Sequence, residues 1–208
     1  LCPRECGVNR LAGELGYCRA GALARVASHN VYMGEEPPIS GWRGSGTIFF
    51  SHCTAHCLFC QNYPISQLGV GDEVSSLELA EMMLALQRRG CHNINLVTPT
   101  HFVPQILQAV DAAAARGLAI PLLYNTSGYD CASTLELLDG VVDIYLSDTK
   151  YADDHVARRL SGFQDYVLHN RQALLEMRRQ VGEQLLLDDQ GIALRGMILR
   201  HLVLPAGL

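Results

Sequence analysis

Three cysteines carry the most specific chemistry in this sequence. Cys53-x3-Cys57-x2-Cys60 places three thiols within eight residues. Thiolates are soft ligands and suit zinc or iron–sulfur clusters. A structural zinc site takes four protein ligands, usually in pairs with two residues between, whereas the triplet offers three ligands and one such pair. A four-iron cubane held by three cysteines leaves one iron without a protein ligand, a vacancy for a small chelating substrate. A second trio, Cys2-x3-Cys6-x11-Cys18, is a further candidate metal site. Cys91 and Cys131 stand alone and read as core or helix-end packing. With six of eight cysteines in two tight clusters, metal binding in a reducing cytosol is expected, not disulfides.

The elements that must position the triplet are legible as a series. It follows a short apolar run, Thr47–Phe50, and further strands are expected at Ile94–Val97, Ile120–Tyr124, Val142–Leu146 and Met197–Leu204. A helix opens at Ser75, where Ser75 and Glu78 fit a capping box, and Leu79, Met82, Met83 and Leu86 share one face. Others are expected over Val103–Arg116, over Ser133–Leu138 with a second box at Ser133 and Glu136, and over Asp153–Gln180 with a break at Gly162. Leu185–Leu187 and Ile192–Leu194 flank a hairpin turn. Strands alternating with helices predict an α/β protein with a parallel sheet. Ligands of such sheets gather at the carboxyl ends of the strands. There the sequence places Thr98, Thr100 and His101, then Asn125 and Ser127, then Asp148 and Lys150. Arg200 and His201 lie within the last strand with opposite pleat phase, so they do not share one site. Arg200 sits among apolar residues and needs an anion there. Residues 1–45 show little periodicity and read as an irregular segment, distinct from the α/β part at 46–208.

Composition narrows the classes. The chain has 208 residues, 49% apolar and 18% charged, enough for one domain with its own core, and not a disordered protein. No apolar run approaches the ~20 residues that cross a bilayer. The net charge of −5 is spread without blocks, so neither nucleic acid nor membrane is an expected partner. No segment reads as a signal peptide. A Gly-x-Gly-x-x-Gly fingerprint and a Walker A loop are both absent from the sequence.

These residues resemble a known family. Cys53, Cys57 and Cys60, with Phe59 before the third, match the signature of radical S-adenosylmethionine (SAM) enzymes. The resemblance extends to a branch similar to pyruvate formate-lyase activating enzymes, called PflX-like. It is carried by Cys2-Pro3-Arg4-Glu5-Cys6-Gly7-Val8-Asn9-Arg10, Gly16-Tyr17-Cys18, Tyr124-Asn125-Thr126-Ser127-Gly128-Tyr129, Asp148-Thr149-Lys150-Tyr151 and Arg200-His201-Leu202-Val203-Leu204-Pro205.

The resemblance implies a partial (βα)6 TIM-like barrel of radical SAM type. It implies a [4Fe–4S] cluster on Cys53, Cys57 and Cys60, and SAM on the open iron. Thr98, His101, Asn125, Ser127, Asp148, Lys150 and Arg200 then become candidate SAM-binding residues, with the SAM carboxylate as the anion for Arg200. The family's Gly-Gly-Glu-type motif is replaced by Thr98-Pro99-Thr100-His101, which offers no acid. Partners implied are a one-electron donor such as flavodoxin or ferredoxin and, for an activase, a glycyl radical enzyme. The branch commonly has a cysteine just upstream of the first trio, which makes Cys2, Cys6 and Cys18 candidates for zinc or an auxiliary Fe–S cluster. With five strands legible, the barrel is expected to be cut short at the C-terminal end, with one open edge strand. Other readings are a radical SAM enzyme acting on another protein or small molecule, a zinc-stabilised binding module without catalysis, and a ferredoxin-like electron carrier.

Overall fold

The computed structural model describes residues 1–205. Its strands and helices follow in chain order as β1 (Ala24–Tyr32), α1 (Pro37–Ser40), β2 (Ser45–Phe50), α2 (Tyr63–Ser66), β3 (Asp72–Val74), α3 (Ser76–Arg88), β4 (Ile94–Val97), α4 (Val103–Ala114), β5 (Leu122–Thr126), α5 (Ala132–Leu135), β6 (Ile144–Asp148), α6 (Asp154–Ser161), α7 (Tyr166–Val181), β7 (Leu186–Leu187) and β8 (Ala193–Arg200). The sheet order is β3-β1-β2-β4-β5-β6-β8-β7. Its centre, β2-β4-β5-β6-β8, is parallel throughout.

The two faces of this sheet are filled differently. Ile48, Phe50, Ile94, Leu96 and Leu122 pack on α3 and α4 through Leu79, Met83, Leu86, Ile106 and Ala109. Tyr124 and Tyr145 continue that face against Ala173 and Met177 of α7. On the opposite face Leu123, Ile144, Leu146 and Ala193 meet Ile39 of α1. The alternation of strand side chains fixes which face each residue serves. Asn95, Asn125, Asp148 and Arg200 therefore share the α1 face, by their register across β4, β5, β6 and β8.

Local chemistry agrees with most of the expected elements. The Ser75–Glu78 capping box is formed, with both reciprocal hydrogen bonds. Gly162 ends α6 in the left-handed conformation, which divides the long helical region as expected. Asp188-Asp189-Gln190-Gly191 turns between β7 and β8, with Asp188 accepting from the Gln190 and Ile192 amides.

Three expectations need correction. The expected strands Ile192–Leu194 and Met197–Leu204 are one strand, Ala193–Arg200, and His201 lies beyond its end. The Ser133–Glu136 box is absent: α5 starts at Ala132, with Cys131 at its N-cap and no side-chain cap. Its start is set by the buried Asp130, which accepts from Tyr124 Oη at 2.9 Å and Thr126 Oγ1 at 2.6 Å. The first 45 residues are also not irregular throughout. Ala24–Tyr32 is a nine-residue strand, antiparallel to β2 and to β3. A register shift between Val26 and Ser28 breaks its alternation, which is why periodicity does not reveal it.

Candidate functional site

The cysteine triplet lies on the loop leaving β2. Two of its amides close the end of α6: His56 N donates to Ser161 O at 2.9 Å and Leu58 N to Leu160 O at 2.9 Å. The last carbonyls of a helix lack intrahelical partners, so the loop and the helix end satisfy each other. Arg4 fastens the same junction from the N-terminal segment, donating to Thr54 O at 2.6 Å and Gly162 O at 2.7 Å. Its guanidinium lies 3.4 Å from the centre of the Tyr17 ring, which stacks in turn on His56.

Cys53, Cys57 and Phe59 pack against Ala55, Tyr129, Tyr151, Phe163 and Tyr166. This largely aromatic wall takes the sulfurs out of water. Burial pushes the Cys53 thiol up to about 12. It also raises Cys57, against the opposing pull of Ser161 and Lys150. Cys60 Sγ is 3.1 Å from Ser66 Oγ. Thiols so desolvated ionise only if a cation replaces the lost water. The donor set therefore fits a metallic group bound to all three sulfurs. Among the described residues no three or more His, Cys, Asp or Glu are arranged about a single metal ion. Three thiolates not gathered about one ion would instead hold a group of several metal ions, such as an iron–sulfur cluster. Cys2, Cys6 and Cys18 line a separate hollow with Arg4 and Arg10, and they too are not grouped about one ion.

The polar residues at the strand ends divide into two groups. Arg200 donates to Asn125 Oδ1 at 2.7 Å and to Asp148 Oδ1 at 3.2 Å. Lys150 Nζ is 2.6 Å from Asp148 Oδ2, with both side chains more than four-fifths buried. Thr98 adjoins them: its amide donates to Asn125 O, and its φ of +60° is rare for a β-branched residue. The Ser127 carbonyl accepts from Tyr166 Oη at 2.9 Å, and Asn170 ties Gly128 O to Asp148 O. Thr98, Asn125, Ser127, Asp148, Lys150 and Arg200 are thus joined at one rim.

His101 belongs elsewhere. It is fully buried beside Phe102, and its Nε2 donates to Ser51 O at 2.8 Å. Its Nδ1 is buried without a partner. Protonation would place charge in that dry space, and burial lowers its pKa from 6.5 to about 4. The folded state then binds fewer protons than the unfolded chain between those values. Its stability should fall by about 3 kcal/mol as pH drops from 6.5 to about 4. Urea titrations across that window check this, and His101→Gln should remove most of that slope. An unchanged slope would mean that another group carries it.

Two functional candidates are invisible in sequence. Glu35 and Glu36 precede α1, yet both reach Arg200, Glu35 Oε2 at 3.5 Å and Glu36 Oε1 at 3.8 Å. Glu35 also accepts from Asn95 Nδ2 at 2.9 Å. Burial raises its carboxyl against the opposing pull of Arg200. The anion that Arg200 needs is accordingly supplied by the protein itself, and no bound carboxylate is required to explain it. Only the double acid Glu35-Glu36 before a proline pair could have hinted at this, and nothing in its spacing points to residue 200.

Comparison with known proteins is consistent with this geometry. The radical SAM superfamily pattern matches residues 47–179. A protein of Methanocaldococcus jannaschii described as uncharacterized is 30% identical over 214 residues, which cover 99% of this chain and 56% of that relative. The chain thus spans about half the length of the curated relative it matches. Among the described residues no helix is long and apolar enough to cross a membrane.

Proposed function

Because the chain belongs to the radical SAM superfamily, whose members use a [4Fe–4S] cluster and SAM, we propose that Cys53, Cys57 and Cys60 hold that cluster and that the rim around Asp148 and Arg200 binds SAM. When bound, the cluster supplies the electron that splits SAM into methionine and a 5′-deoxyadenosyl radical, which takes a hydrogen atom from the substrate. The single observation that carries the reading is three thiols on one loop, two of them set against an aromatic wall, beside a polar rim at the strand ends.

The chain's own residues have distinct parts in it. The wall of Tyr129, Tyr151, Phe163 and Tyr166 keeps water from the sulfurs. Lys150 lies close enough to Cys53 and Cys57 to favour their thiolates, and Asp148 holds it in place. The rim combines three carboxylates, Glu35, Glu36 and Asp148, with two cations, Arg200 and Lys150. It is anionic overall, which suits SAM, whose sulfonium and ammonium outnumber its carboxylate. Thr98 and Asn125 present backbone and side-chain groups beside that charge. Buried polar atoms without partners, Asn95 Oδ1, Thr149 Oγ1 and Glu36 Oε2, also suit a polar ligand.

The finer reading is that of an activase in a partial barrel, drawing its electron from a flavodoxin or ferredoxin in the cytoplasm and passing the radical to a glycyl radical enzyme. It is supported by the motifs shared with that branch. Cys2, Cys6 and Cys18 are a candidate second site for zinc or an auxiliary Fe–S cluster. The test is anaerobic reconstitution with iron and sulfide, reduction, and assay of 5′-deoxyadenosine from SAM. The expected result is a brown protein that releases it, and whose electron paramagnetic resonance signal changes on adding SAM. Loaded, reduced protein that releases none would overturn the proposal. The activase reading fails separately if candidate glycyl radical enzymes acquire no glycyl signal while SAM is still cleaved.

A further inference from the structure

Between Cys53 and Cys60 the loop is held by groups from three other places in the chain. Its His56 and Leu58 amides donate to the end of α6, and its Ala55 carbonyl accepts from Gln67 Nε2 at 3.1 Å. The third support is Arg4, which donates to Thr54 O at 2.6 Å and to Gly162 O at 2.7 Å. Thr54 is buried and adjoins Cys53, so a shift of its peptide moves one thiol relative to the other two. Gly162 closes the helix whose last carbonyls take the His56 and Leu58 amides. One planar fork thus pins the loop and the helix end to each other from a separate segment.

That segment is shaped for the task. The Arg4 guanidinium lies 3.4 Å from the centre of the Tyr17 ring and 5.7 Å from that of Tyr129, a member of the wall behind Cys53 and Cys57. A cation against aromatic rings is held in place while its N–H groups stay free for the two carbonyls. Tyr17 stacks in turn on His56 of the loop, with ring centres 4.3 Å apart. A Cβ on Gly162 would lie 2.6 Å from Tyr17 Oη, so glycine at the helix end leaves room for that ring. Tyr17 is itself placed by Cys6, whose Sγ accepts from its amide at 3.4 Å. The radical SAM pattern begins at residue 47, so this support comes from outside it.

We propose that Arg4 is a positioning residue for the cluster: with Tyr17 behind it, Arg4 sets where Cys53 stands relative to Cys57 and Cys60, and so where the bound cluster stands against the rim. The inference rests on the cluster reading above and extends it to the N-terminal segment. Lysine is a poor substitute, since a single ammonium lacks the fork that spans both carbonyls.

Hydrogen exchange of the intact iron-free chain tests the clamp. In Arg4→Gln the His56 and Leu58 amides should exchange at least about tenfold faster than in the parent, through loss of charge-assisted contacts. Arg10→Gln is the control from the same segment. Its guanidinium donates to His101 O at 2.5 Å and to Cys18 Sγ at 3.5 Å, not to the loop, and the two amides should exchange as in the parent. After reconstitution, Arg4→Gln should release iron to a chelator about tenfold faster. Per loaded cluster, kcat for SAM cleavage should fall about tenfold with KM for SAM little changed, because the rim residues are untouched. Arg4→Lys should recover part of both losses. Parent-like exchange in Arg4→Gln, equal acceleration in Arg10→Gln, or loosened amides with parent-like iron release and turnover would each overturn the inference. A parent that loads iron without cleaving SAM counts against the proposed function, while exchange and iron release still decide the clamp. A parent that takes up no cluster would overturn both.

Discussion

Cys53→Ala, Cys57→Ala and Cys60→Ala are each expected to yield a protein that takes up no stable cluster and releases no 5′-deoxyadenosine above the iron-free background. The loss should exceed about a thousandfold, because the cofactor carries the chemistry and the protein cannot substitute for it. All three thiols sit on one short loop, so no neighbouring element can replace a lost ligand. Folding should survive. Before iron is added, Cys53 and Cys57 are small partly buried groups against an aromatic wall, and alanine removes little volume there. Melting temperatures of the iron-free variants should therefore stay within a few degrees of the parent, which separates lost chemistry from lost structure. Full iron content and unchanged SAM cleavage in any one of the three would remove that residue from the site.

Gly128→Ala should destabilise the fold by about 2–4 kcal/mol, combining a left-handed backbone with overpacking. Gly128 has φ +72°, and an added Cβ would lie 2.1 Å from Asn170 Nδ2 and 2.5 Å from Asp148 O. Neither neighbour can yield freely. Asn170 holds the ends of β5 and β6 together through both carbonyls, and Asp148 O is backbone at the rim. The same change should weaken SAM binding, since Asn125, Ser127 and Asp148 flank the displaced turn. Gly140→Ala is the matched control: its φ is +75°, but nothing lies within 4 Å of the added atom. It should cost only the backbone share, about 1–2 kcal/mol, and leave SAM binding unchanged. Urea denaturation of the two proteins side by side measures the difference. Equal losses would show that the crowding at Gly128 relaxes at no cost.

The triplet, the βα alternation and the capping box at Ser75 were legible because each is local. Ligand spacing on one loop, a strand's apolar run and a helix cap all involve residues within a few positions of one another. The strand β1 was missed because its alternation is broken by the shift after Val26. The start of α5 was missed because a buried hydrogen-bonded Asp130 decided it, and burial is a property of the assembled core. His101 and Thr98 are three residues apart in sequence, yet one is sealed beside Phe102 and the other meets Asn125 at the rim.

What the sequence determined by itself is the reactive chemistry: three soft ligands at a fixed spacing after a strand, in a chain of alternating strands and helices. What only the tertiary structure decided is the electrostatic setting of that chemistry. Glu35 and Arg200 are 165 residues apart, and Arg4 and Gly162 are 158 apart. Their contacts follow from sheet register and from the folding of α1 onto one face of the sheet, and no local pattern encodes either. Coulomb energy depends on distance through space and on exclusion of water, both set when the strands align and the helices close over them.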